Sequence, residues 1–290
     1  MDLIRLSKPA PPLRSIVRFY AHREVRLRGG AVVHPVPARA FPLLEFVLGD
    51  SIGVLHRDDP HVVTSPRTVL VGPQTHCHSR LRFRGVVECF VVLFQPAGLH
   101  RLFSIPMQEL TDRALDARSV LGAFASRFEQ MIADCRTFSE RVRLADSYLL
   151  RRALEAHHSD RISAAAAQFL SASGKARIGD VAAESGLSVR QFERDFMRQL
   201  GVSPKLFARI VRFEAALDRK ARSSAKSWTE IANDLGYFDQ MHMIHDFKVF
   251  TGGTPTLALA EIETLFHERL AAIQAGPRPA AADPDLDLII

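Results

Sequence analysis

Nowhere in this chain do cysteines form a C-x-x-C pair: the three present, Cys77, Cys89 and Cys135, are odd in number and scattered. Such spacing argues against a disulfide framework and against a structural zinc site built on thiolates, so reduced thiols are expected. No stretch approaches about 18 uninterrupted apolar residues, the length a membrane-spanning helix needs. The opening MDLIRLSKPAPPLRS carries no apolar run of the kind found in secretory leaders. A cytoplasmic chain with no membrane partner is the expectation. A Ser-His-Asp signature, a phosphate loop and a dinucleotide fingerprint are lacking as well. No catalytic residue and no cofactor is therefore assigned, and the chain is read as a non-enzyme.

What is present fits two domains, since 290 residues give each of two units enough chain to bury a core. Hydrophobic residues make up 47% and charged residues 24%, the proportions of a folded globular protein. The net charge of +6 is unevenly spread. Residues 161–260 carry an excess of about four positive charges, and the chain from Glu261 onward an excess of about four negative ones. A basic segment of this kind favours a polyanionic partner.

Residues 16–95 are dense in β-branched and aromatic runs, IVRFYAH, FPLLEFVLG, SIGVLHR, RTVLVG and VVECFVVLF, which read as strands. Turn signals at RGG, GDS, RDDP and GPQT separate them at short intervals, as an antiparallel sheet, sandwich or barrel requires. After Gln95 the pattern turns helical: PAGLHRLF, then SVLGAFASRFEQMIADC and SERVRLADSYLLRRALEA as two amphipathic helices, with Ser139 expected to cap the second. Val142, Ala145, Leu149 and Ala153 share one stripe of that helix, which either the sheet or a second subunit must cover. The pattern breaks around AHHSDR (156–161), where the domain boundary is placed.

Beyond the boundary lies an internal repeat. VAAESGLSVRQFERDF (181–196) aligns with IANDLGYFDQMHMIHDF (231–247): Ala182 with Ala232, Gly186 with Gly236, Phe196 with Phe247 and, further on, Pro204 with Pro255, with one residue inserted in the second turn. Each copy has a short helix, a glycine turn, an N-cap (Ser188 or Asp239) and a second helix, the pattern of a helix-turn-helix. Helical spacing turns Phe192, Phe196, Met243 and Phe247 inward. Arg190, Glu193, Arg194 and Met197 share the outer face of the first copy, and Met241, Ile244, His245 and Lys248 that of the second. MHMIH is thus divided between faces, and no metal site is assigned to His242 and His245. Between the copies, Leu206, Ile210, Phe213 and Leu217 predict one long helix after Pro204. Ile162, Ala165, Ala166 and Phe169 give the inner face of a helix before them.

The segment from about 161 to 262 resembles the DNA-binding domain of AraC/XylS-type transcriptional regulators. Ala232 through Pro255 carries the strongest resemblance, through its glycine-aromatic turn, its Phe247-Lys248 pair and its closing FTGGTP. The resemblance implies two recognition helices entering successive major-groove segments of double-stranded DNA. Family members commonly have polar residues or arginine where this chain has Met241, Ile244 and His245. The N-terminal region more weakly resembles the cupin-like sensor domains attached to such regulators, followed by helices that often dimerise them. The expected fold is α+β: a β-rich, barrel-like sensor with dimerisation helices over 1–158, an all-α double helix-turn-helix over 159–266 and a flexible acidic tail over 267–290. Arg190, Glu193, Arg194, Arg198, Gln240, Met241, Ile244, His245 and Lys248 are the candidate DNA contacts. The expected partners are DNA, a small-molecule effector, RNA polymerase and a second copy of the chain. The alternative is a cupin-like metal-dependent enzyme, or a ligand-binding protein with appended helices. It rests on His76-x-His78 and Glu88, whose separation is too long for a cupin metal triad.

Overall fold

The computed structural model describes residues 3–57, 59, 61–156 and 161–263. Among them the apolar runs do become strands: β1 (Leu3–Ser7), β2 (Val17–Arg26), β3 (Val32–Pro35), β4 (Leu43–Val47), β5 (Gly53–His56), β6 (Val62–Thr64), β7 (Thr68–Val71), β8 (Ser79–Phe83), β9 (Val86–Phe94) and β10 (Ala114–Asp116). They pair in two sheets, ordered β1-β2-β9-β4-β7-β10 and β3-β8-β5-β6. Every pairing in both sheets is antiparallel. The result is an open, barrel-like sandwich.

The larger sheet is covered on both faces, which explains why VVECFVVLF reads as a nearly continuous apolar run. Side chains alternate across a strand. Phe90, Val92 and Phe94 of β9 therefore join Tyr20 of β2 and Leu44 and Phe46 of β4 in a core completed by helices, while Cys89, Val91 and Leu93 point the other way, toward the smaller sheet. The covering helices are α1 (Gly98–Phe103), α2 (Ala117–Leu121), α3 (Ala123–Asp134) and α4 (Phe138–Leu154). The single helix expected from Ser119 to Cys135 is divided at Gly122, whose φ of 56° and ψ of −133° interrupt the α-helical backbone. Thr137, not Ser139, caps α4, in a reciprocal capping box with Glu140. The α4 stripe packs on its own chain: Ala145 and Leu149 are fully buried against the sheet, and Val142 and Ala153 partly so.

The helical part comprises α5 (Arg161–Ser171), α6 (Ile178–Glu184), α7 (Val189–Leu200), α8 (Pro204–Arg222), α9 (Trp228–Asp234), α10 (Gln240–Thr251) and α11 (Pro255–Glu263). The inner face of α5 is Ile162, Ala165, Ala166 and Phe169, as expected. The aligned glycines Gly186 and Gly236 have φ of 67° and 69° and end the first helix of each copy. Phe169, Phe192, Phe196 and Phe207 make an aromatic cluster under the first copy, and Phe213, Trp228, Phe247 and Phe250 one under the second.

The apolar core of the helical part runs on into the sensor sheet through Phe19, Ala21, Phe41, Leu43 and Leu93. Thr111 Oγ1 donates to the Gly201 carbonyl (2.7 Å), just past α7. Ala38 N donates to Phe250 O (2.7 Å) and Cys77 N to Val249 O (3.2 Å), both at the end of α10. The expected boundary at 158–159 and the acidic tail over 267–290 lie outside the described residues.

Candidate nucleic-acid interface and sensor cavity

Ser188, the N-cap expected from the repeat, caps α7 and accepts a hydrogen bond from Gln191 N, while the Gln191 side chain returns to the Ser188 backbone in a reciprocal capping box. Asp239 caps α10 by accepting from His242 N (2.8 Å). The caps start each helix at a defined residue and so fix which side chains face outward. Arg190, Glu193, Arg194, Met197 and Arg198 of α7 are exposed, as are Gln240, Met241, His245 and Lys248 of α10; Ile244 is half-buried. Met241 is 65% exposed, too much for a residue packed beneath its own module.

Local pairs hold these side chains loosely. Arg194 and Arg198 share Asp195 at 3.7 Å each, contacts that surface solvation keeps weak. Gln240 Oε1 accepts from Thr229 Oγ1 (2.9 Å), joining α10 to α9. Firmer contacts lie beneath: Arg209 of α8 places Nε and Nη2 on Asp246 Oδ1 of α10 at 3.2 and 2.6 Å. Asp246 is buried, so this pair sets the angle of α10 on α8. His242 turns back onto the Asp239 cap through Nδ1 (2.9 Å), away from any cluster with His245. The alignment passed over Phe238, which is 89% exposed directly before the α10 cap, with its ring edge toward His242. Its signal in the sequence is the residue inserted in the second turn, which makes room for an aromatic side chain at the mouth of that helix.

A second site lies where the sheets meet the helical part. A cavity of about 240 Å³ is lined by Phe19, Phe41, Leu43, Val91 and Leu93 of the sensor and by Phe213, Glu214 and Leu217 of α8. Charge enters through Arg18, Arg23, Arg39, Glu45 and Glu214. Arg18 reaches it because β2 bulges there: Val17 pairs with Phe94 and Phe19 with Leu93, so Arg18 is the extra residue and neighbours 18 and 19 both face inward. Glu214 is buried, accepts the Ala40 backbone N–H and faces Arg18 and Arg39; burial outweighs those cations and pushes its carboxyl up to about 7.

The loosely cupin-like set does not assemble. Glu88 takes a 2.9 Å hydrogen bond from Arg141 Nη1 of α4, on the helix-covered side of the sheet, where Arg141 also meets His22. His76 and His78 lie instead on the loop before β8, next to Asp112. Even pairing parity on β9 puts Glu88 on the Phe90 face, a fact the linear interval to His78 does not reveal.

Residues 181–260 match the family described as "Helix-turn-helix domain". Residues 6–116 match one described as "Domain of unknown function (DUF6597)". None of the curated proteins matches the chain. Among solved structures the chain is similar to ToxT from Vibrio cholerae O395, at 10% identity over 83% of this chain and 97% of that one, with a TM-score of 0.48. It is also similar to the same protein bound to (E)-4-(8-methylnaphthalen-1-yl)but-3-enoic acid (10% identity, 84% and 99% covered, TM-score 0.48). A third similar structure is unsaturated fatty acid bound wild-type ToxT from strain SCE256 (11% identity, 92% and 96% covered, TM-score 0.45). No helix among the described residues is long and apolar enough to cross a membrane. The helix-turn-helix match spans both copies and the helix between them, the segment whose sequence resembles the DNA-binding domain of AraC/XylS-type transcriptional regulators.

Proposed function

We propose that α7 and α10 read DNA and that a small apolar molecule carrying an acidic group, bound in the cavity, controls how α8 is held against the sensor. The observation that carries this reading is the position of Phe213. Its ring lines the cavity and also meets Phe247 and Phe250 of α10 edge-on or tilted, at 4.9 and 5.3 Å. Anything that fills the cavity therefore touches the packing beneath the second recognition helix. Its neighbour Glu214 occupies the cationic corner made by Arg18 and Arg39. A ligand carboxylate competes for those guanidiniums, and Glu214 answers by taking up a proton or by turning away. Either response changes the tie between sensor and α8, which amounts to a population shift set by differential affinity.

On the DNA side, Arg190 and Arg194 supply donors for guanine O6 and N7, and Glu193 an acceptor for cytosine N4. Met241 and the half-buried Ile244 supply apolar surface for thymine methyls, with Arg198, Gln240, His245 and Lys248 left for phosphates or single base edges. At 1.5 Å per residue α8 is roughly 28 Å long, a span suited to two contacts about one helical turn apart. The sensor is assigned to 1–158 and the reader to 159–266. We place the regulator in the cytoplasm, with RNA polymerase as a partner at the promoter. A homodimer belongs to the same reading, but Leu149 is buried in its own chain, so the contact falls on the exposed end of α4 around Leu154.

Selection of fragments from random DNA by the purified full-length protein should return a site with two elements about one turn apart; recovery without sequence enrichment would remove the reading role. Aromatic and medium-chain carboxylic acids should raise Tm and shift DNA affinity, while the matching alcohols should do so less. Equal responses to acid and alcohol would remove the role given to Arg18 and Arg39. Sedimentation of Leu154→Glu tests the dimer: an unchanged mass relative to the parent protein would discard that contact.

A further inference from the structure

The loop from Gln74 to His78 crosses between the sensor and the end of α10, and it carries a donor set that DNA reading and effector binding leave unused. His76, His78 and Asp112 each offer a ligand atom, and these atoms all lie within 4.8 Å of one another. His76 Nδ1 stands 3.6 Å from Asp112 Oδ2. Two donors about 2.0–2.1 Å from one tetrahedral cation are about 3.4 Å apart, so this pair already has the required span; the ion takes this nitrogen in exchange for its hydrogen bond to Thr75 Oγ1 (3.0 Å), the proton moving to Nε2 or to solvent. His78 Nδ1 hydrogen-bonds the His76 carbonyl (3.3 Å), which makes that nitrogen the N–H and leaves Nε2 with its lone pair. A second ring nitrogen tied to a backbone carbonyl is how metal-binding histidines are oriented.

Asp112 is aimed at this place with some effort. Its φ is 57°, a left-handed conformation that aspartate tolerates better than most residues. Its N–H donates to Pro73 O (2.9 Å). Its carboxylate accepts from both Thr75 N and Thr75 Oγ1 at 2.6 Å. Those bonds brace the loop, but bracing alone does not call for imidazoles at 76 and 78. His56 brings a third ring, stacked on His78 at 6.3 Å, while His76 and His78 are 5.1 Å apart.

We propose that His76, His78 and Asp112 form a binding site for a first-row divalent cation, zinc(II) foremost, with the remaining coordination position open to water. The two imidazoles are borderline donors that select such ions over magnesium or calcium, and the carboxylate supplies the neutralising charge. The ion draws the donors together by about an ångström and stiffens the loop. Cys77, between the two histidines, donates its N–H to Val249 O of α10. Zinc binding thus fixes the segment that rests on the second recognition helix.

Titration calorimetry of the metal-free full-length protein with zinc chloride should show one saturable site in the micromolar range or tighter, with no comparable heat from magnesium. His76 is exposed, so His76→Ala leaves packing intact and should weaken zinc by at least about tenfold. Asp112→Asn keeps an acceptor for Thr75 N yet loses the charge, and it should weaken zinc as well. Cobalt(II) should give visible d–d bands that His76→Ala abolishes. No saturable uptake, or uptake and bands unchanged in His76→Ala and Asp112→Asn while circular dichroism reports a native fold, would overturn the site.

Discussion

Arg194 on α7 and Met241 on α10 both face outward, yet they offer a base pair different things: a guanidinium fork and a thioether. Arg194→Ala should cost roughly 1–3 kcal/mol at the selected site and relax preference at one base pair. Binding to a panel of single-base variants checks this, and uniform weakening across the panel would make Arg194 a phosphate contact. Glu214 bears on stability through pH. Its ordinary value of 4.5 is raised to about 7 in the fold by burial. Between those values the unfolded chain ionises it more readily, so this group costs stability as pH rises from about 4.5 to 7. His22 acts oppositely. Burial beside Arg141 lowers it from 6.5 to about 4, so the unfolded state binds its proton more readily and stability rises with pH across nearly the same window. In Glu214→Gln the falling contribution is gone. Its Tm, followed by calorimetry, should climb from pH 4.5 to 6.5 more steeply than the parent's.

Helix ends show how far local chemistry reaches at the scale of elements. Ser188 with Gln191, and Asp239, are legible as caps because a side-chain oxygen three residues from a free N–H is a matter of local spacing alone. The error at Ser139 arose from the same rule, since Thr137 and Glu140 satisfy it with a closer reciprocal pair. Gly186 and Gly201 separate local from tertiary demands. Both have positive φ, of 67° and 79°. A Cβ at Gly186 meets nothing within 4 Å, whereas one at Gly201 would stand 2.6 Å from Thr111 Oγ1 and 2.7 Å from Met107 O. Gly186→Ala should therefore cost only the backbone strain, about 1–2 kcal/mol. Gly201→Ala should cost more and should weaken the docking of α7 on the sensor, to be read as a larger Tm loss and faster amide exchange at residues 107–111.

For the molecule as a whole, the uneven charge predicts a salt-dependent encounter with DNA. The affinity of the full-length chain should fall steeply between low and physiological salt, because each phosphate neutralised releases condensed counterions. Lys248→Ala should reduce the slope of log affinity against log salt by about one and weaken all sequences alike, if Lys248 holds a phosphate. A flat salt response would contradict the assignment of the basic face. The sensor touches the reader past α7, at the end of α10 and along α8. One of the apolar core clusters among the described residues spans both, so unfolding should be one cooperative transition and not two.

The sequence by itself determined the helical half nearly residue by residue: the repeat, its caps, its inward phenylalanines and its outward faces all depend on spacings of three or four residues along one chain. It also determined that the first half is β-rich, because alternation and turn residues are local. What it did not determine is what those strands place together. Arg18 enters the cavity only through a bulge in the pairing of β2 with β9, Glu214 meets Arg18 and Arg39 across roughly two hundred residues, and Asp112 joins His76 and His78 from a separate turn. Glu88 leaves that pair because strand parity sends it to the opposite face. Short strands such as β3, β6 and β10 were likewise missed, since three or four residues hold too little pattern and are fixed by the neighbour they pair with. Register and packing are relations between distant segments, and only the tertiary structure sets them.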